Sequence, residues 1–145
     1  MYDTSSNFLN VHEWAYGATE VVHILSLAVG IGFIALVDLR LLGVGLARVS
    51  AERLWRATAV ASLMGMVVAV TTGLLIFSTD PVRYFEHPAM RFKLVMVVAA
   101  LAFNYTVHSR VVRVGYSRVI SAGVAAFSLA MWVVIVFSGI FYSFT

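Results

Sequence analysis

The chain has no cysteine. Disulfides, iron–sulfur clusters and thiolate metal sites are therefore excluded together. Proline occurs only twice, as Pro81 and Pro88. Each directly follows a cap candidate, Asp80 or His87, so each reads as the first position of a helix. Charge is scarce as well: charged residues make up 12% of the 145, against 61% hydrophobic. With a mean hydropathy of +0.94, the chain has too little polar surface to be soluble and reads as an integral membrane protein. The formal charge of +3 is modest, and no nucleic-acid partner is expected from it. The first 14 residues, MYDTSSNFLNVHEW, contain no lysine or arginine ahead of an apolar stretch, so no cleaved signal peptide is expected.

Four apolar runs are present, near Val21–Leu46, Leu54–Phe77, Pro88–Val107 and Val119–Tyr142. Each approaches the roughly 20 residues that cross about 30 Å of hydrocarbon. Short connections make sequential helices antiparallel neighbours. The fold expected is all-α: an up-down four-helix membrane bundle forming one domain over 1–145, with helices at about 12–46, 54–78, 88–113 and 117–143. Basic residues set its orientation. Arg40, Arg48, Arg53 and Arg56 flank the first connection, and Arg110, Arg113 and Arg118 the third. Both connections should be cytoplasmic and both termini extracytoplasmic. Trp14, Tyr16, Tyr84, Phe85 and Tyr142 then fall at the outer interface, and Trp55 and Tyr116 at the inner one. The lipid bilayer is the first partner.

The polar residues inside the runs carry what functional signal there is, because such residues usually face a protein interior. In RFKLVMVVAALAFNYTVH, Lys93 and Asn104 lie about 20° apart on an ideal helix, and His108 about 40° further. In the first run, His23 and Gly30 share a face, and Asp38 lies about 60° round. Fifteen residues separate His23 from Asp38, as they do Lys93 from His108. Two polar layers about 22 Å apart follow if the parallel helices start level. The inner one, Asp38 with Arg40, His108 and Arg110, reads as a paired cluster that fixes packing, and Asn104 as interhelical glue. The outer one places two bases together, His23 and Lys93. A buried imidazole there is expected to be neutral, and a neutral imidazole is a competent metal ligand.

No two histidines stand three or four residues apart, which disfavours a compact zinc site. Haem iron needs only one or two axial ligands, from His or Met. His23 is the expected ligand, with the second open between His87, His12 and a methionine, His87 preferred. Gly30 is the candidate wall of a flat slot. Arg83, Arg91 and Lys93 are the candidate partners of the propionates.

HILSLAVGIGFIALVDLRLLG, TGLLIFSTDPVRYFEHPAMRFKL and NYTVH resemble a group of small bacterial four-helix membrane proteins, over most of the chain. More distantly the chain is similar to CopD-type copper-resistance membrane domains and to four-helix bacterial protoporphyrinogen oxidases. Those oxidases share a helix-one His, matching His23, and a helix-three lysine, matching Lys93-Leu94. Where they commonly carry a His just before that lysine, Arg91 and Phe92 stand here. The resemblance implies a bacterial inner-membrane protein with haem b. Electron transfer as a subunit or partner of a redox assembly, or as a homo-oligomer, is the expected function. The alternatives are a protoporphyrinogen-oxidase-like enzyme, a copper-uptake module with copper in place of haem, and a structural accessory subunit.

Overall fold

A computed structural model describes residues 4–144, with side chains through Phe141. Tyr142 therefore lies outside the described side chains. The elements are α1 (Phe8–Val11), α2 (Glu13–Leu42), α3 (Ala51–Phe77), α4 (Pro81–Glu86), α5 (Pro88–Phe103), a π turn at Asn104–His108, α6 (Ser109–Val114) and α7 (Arg118–Phe144). There is no strand among the described residues. Among the described residues four helices are long and apolar enough to cross a membrane: α2, α3, α5 continued through the π turn into α6, and α7.

Local chemistry sets the boundaries. The first helix stops at Leu42, short of the expected 46, because Gly43 and Gly45 turn left-handed at φ 81° and 72°. The Gly43 N–H closes back onto the Arg40 carbonyl, ending the helix as glycine caps do. The second helix starts at Ala51, ahead of the expected 54, because the Ser50 hydroxyl accepts from the Arg53 N–H at 3.2 Å. Asp80 caps α4 in the same way, accepting from Arg83 N–H at 3.2 Å, and Pro81 and Pro88 open α4 and α5.

The chain runs up and down, so both termini share one end, called here the terminal end. The connections at 43–50 and 115–117 lie at the other, the loop end. The terminal end is tied by Asn7 Nδ2, which donates to Ser78 O at 3.0 Å, and by Asn10 Nδ2, which donates to Thr79 O at 2.9 Å.

The tightest packing joins α2 to α3 through small residues. A Cβ built on Gly65 would lie 2.8 Å from Gly30 N and 2.9 Å from Ser26 O. Ser62 Oγ donates to the Gly30 carbonyl at 3.0 Å across the same contact. Close approach of this kind replaces the missing hydrophobic drive between helices in lipid. The α7 helix lies against α2 on one side and α5 on the other. A central core of Ile34, Met66, Ala100, Met131, Trp132 and Ile135 joins all four helices. The fourth side differs: α3 meets the third helix chiefly through α6.

Candidate functional site

Two polar sites result, one in each half of the bundle. Toward the terminal end, half-buried His23 lies against α3. Its Nδ1 is 2.8 Å from the Ala69 carbonyl and 3.0 Å from Thr72 Oγ1. A carbonyl only accepts, so Nδ1 carries the proton and donates. Thr72 Oγ1 can share that donor, because its own hydrogen goes to Val68 O at 2.7 Å. The Nε2 lone pair is left bare: it makes no hydrogen bond among the described residues. Glycine makes the arrangement possible, since a Cβ on Gly73 would come within 3.0 Å of the His23 ring.

Lys93 is also half-buried, and its Nζ sits where a Cβ on Gly139 would approach to 3.0 Å. It has no ion pair or hydrogen bond among the described residues. Its ammonium and the Glu20 carboxylate are near enough to act on His23 through charge. His23 and Lys93 both lie in the terminal-end half of the bundle, but their seats are on different helices, His23 against Gly73 of α3 and Lys93 against Gly139 of α7.

No hydrogen bond or ion pair ties the other candidates to this pair among the described residues. Gly30 is filled against Met66, whose Cε and Cγ would lie 3.0 Å from an added Cβ; it serves helix contact and leaves no slot. His87 is half-buried at the start of α5 without capping it through its side chain. Arg83 and Arg91 are exposed at the terminal end. His12 stands exposed there, its ring 4.7 Å from that of Phe8.

In the loop-end half, Asp38 is wholly buried and His108 is 2% exposed. Asp38 Oδ1 accepts from His108 Nε2 at 2.6 Å. Arg40 is not part of the pair: its Nε donates to Val49 O. Asn104 holds α5 to α7, accepting from Ser128 Oγ at 3.3 Å while its Nδ2 donates to Ala100 O at 2.9 Å.

The π turn explains why these residues part company. In an ideal α-helix Lys93, Asn104 and His108 share a face. The wider i→i+5 turn begins at Asn104, so Lys93 and Asn104 both meet α7 while His108 is swung onto α2. Sequence reading missed this turn, and missed Ala69, Thr72, Gly73 and Gly139 as the seats of the two bases. The adjacent polar and glycine residues Thr72-Gly73 were the available signal for the first seat.

A small cleft of about 40 Å³ opens beside the pair. His108, Asn104, Tyr105, Trp55, Thr58 and Ser62 line its polar side. Compared with known protein families, curated proteins and solved structures, the chain matches none.

Proposed function

We propose that the chain is a multi-pass protein of the bacterial inner membrane, with both termini outside, that binds haem b at His23. Its role is electron transfer within the membrane, as a subunit or partner of a redox assembly. The orientation rests on the arginines gathered at the loop end, since cytoplasmic connections carry the excess of positive charge. One observation carries the haem reading: the His23 ring is fixed by its Nδ1–H on the Ala69 carbonyl, with Nε2 bare. Metal-ligating histidines are held in this manner, and the backbone hydrogen bond sets both tautomer and ring orientation.

Two further features fit a porphyrin. Lys93 offers a cation with no ion pair among the described residues, in the same half of the bundle as His23, for one propionate. Arg83 and Arg91 stand nearer the surface for the other. His87 is the second-ligand candidate. When bound, haem supplies a carrier for one electron at a time. The copper alternative would draw on methionines as well as His12 and His23, since no group of three or more His, Asp or Glu side chains comes together among the described residues.

The test is an absorption spectrum of protein purified from membranes, before and after His23→Ala. Wild type should show a Soret band that the variant loses. Wild-type protein without the band, or a variant that keeps it, overturns the reading.

A further inference from the structure

The loop-end pair has features that helix packing alone does not require. Asp38 Oδ2 is buried without a hydrogen-bond partner, although a carboxylate oxygen in such a setting is costly to leave unsatisfied. His108 gives Nε2 to Asp38, and its other ring nitrogen makes no hydrogen bond among the described residues. The same imidazole lines the cleft. At about 40 Å³ that cleft is large enough for a water molecule. Thr58, Ser62, Asn104 and Tyr105 offer it polar partners. Asp38 is four residues from the end of α2, about 6 Å along the axis, so the path to the loop-end surface is short.

We propose that Asp38 and His108 form a proton-binding site that exchanges with loop-end solvent through this cleft. A cleft water gives a proton to His108 Nδ1, and the proton on Nε2 passes to Asp38 Oδ1. The pair gains one proton, and the water is restored by the solvent that supplied it. No redox partner is involved, so the site stands independently of the haem reading.

The surroundings leave the pair to itself. On α2, Arg40 is turned to Val49 O. On α3, Arg56 is occupied by Glu52 at 2.7 Å, Arg53 is exposed, and the cleft residues are uncharged. On α6, Arg113 donates to Ser109 O and lies over the Trp55 ring at 5.6 Å, while Arg110 is exposed. On α7, Arg118 reaches Gly43. Tyr105 is the remaining titratable group facing the cleft.

The experiment is nitrogen NMR of histidine-labelled full-length protein in lipid nanodiscs. Four histidines are present, and His108→Gln assigns the signal. The wild-type His108 ring should change protonation state reversibly between about pH 5 and 8, the range in which histidine serves as a switch. In Asp38→Asn its proton affinity should fall at least tenfold. Thr58→Leu, which fills the cleft, should slow exchange of the ring proton with solvent at least tenfold. A wild-type ring locked in one state across that range overturns the proposal without recourse to any variant. So does a midpoint indifferent to Asp38→Asn, or one that follows sodium concentration and so marks a cation site.

Discussion

Asp38 Oδ1 and His108 Nε2 meet at 2.6 Å across 70 residues of chain, and both side chains are almost wholly shielded. Removing one partner leaves the other polar group buried and unmatched, which costs about 3–5 kcal/mol, whereas replacing both by apolar residues is often near neutral. We therefore expect His108→Ala to lower stability by about that amount, and Asp38→Leu/His108→Leu together to recover most of the loss. Denaturant-induced unfolding in mixed micelles measures both. A single variant as stable as wild type would remove the pair from the list of packing determinants.

The contact between α2 and α3 has no slack at Gly65, where an added Cβ meets backbone atoms of Gly30 and Ser26. Backbone cannot swing aside as a flexible side chain can. Gly65→Ala should cost about 1–3 kcal/mol, the usual range for overpacking. Gly32 lies on the same helix as Gly30, yet a Cβ there meets nothing within 4 Å. Gly32→Ala should be neutral or stabilise by up to about 1 kcal/mol through helix propensity. Thermal melting of the two variants side by side separates contact from propensity.

Helix number and the two polar levels were legible in the sequence because they rest on hydropathy and a 1.5 Å rise, both properties of single helices. The pairing of Asp38 with His108 followed from matching separations on parallel helices. The direction of each side chain was less legible. Gly30 shares a face with His23 on an ideal helix, but which neighbour fills that face depends on Met66, 36 residues further along the chain. The swing of His108 away from the Lys93 face depends on the π turn, and no residue in NYTVH announces one. The end of the first helix was readable in hindsight: Gly43 and Gly45 interrupt an apolar run whose hydropathy continues to Leu46.

Tyr84, in the short helix α4 at the terminal end, is buried, and its ring stacks on Phe77 with centroids 5.8 Å apart. Burial, helped by the Tyr16 hydroxyl 3.5 Å away, pushes its phenol up to about 12. An unfolded tyrosine ionises near 10. The folded state thus prefers the neutral phenol: this contribution is fully present below about pH 10 and is lost as pH rises toward 12. Melting temperature should fall across that interval in wild type, and Tyr84→Phe should flatten the fall. Equal slopes in the two proteins would show that the phenol is indifferent to folding.

Lys93 tests the haem reading from the opposite side to His23. A lysine this near a helix start can run its stem along the protein and lift its charge to the interface. Here the stem instead lies over Gly139 of α7, and the ammonium has no anion among the described residues. Asp80 and Glu86 belong to the neighbouring connection, yet neither forms an ion pair with it. A half-buried ammonium gains from a counter-charge more than a solvated one does, because a low local dielectric strengthens the attraction. A porphyrin propionate at the level of His23 would supply that charge. Lys93→Met keeps the apolar stem against Gly139 and removes the cation. Nearby positive charge favours the reduced, less positive iron, so the variant should show a lower midpoint potential or weaker haem retention. For a one-electron couple, each tenfold change in the oxidised-to-reduced balance corresponds to about 59 mV. Gly139→Ala supplies the complementary case, since its methyl would displace Nζ while leaving the charge in the chain. If potential and haem content are the same in wild type and Lys93→Met, Lys93 is an interfacial anchor and the propionate lies elsewhere.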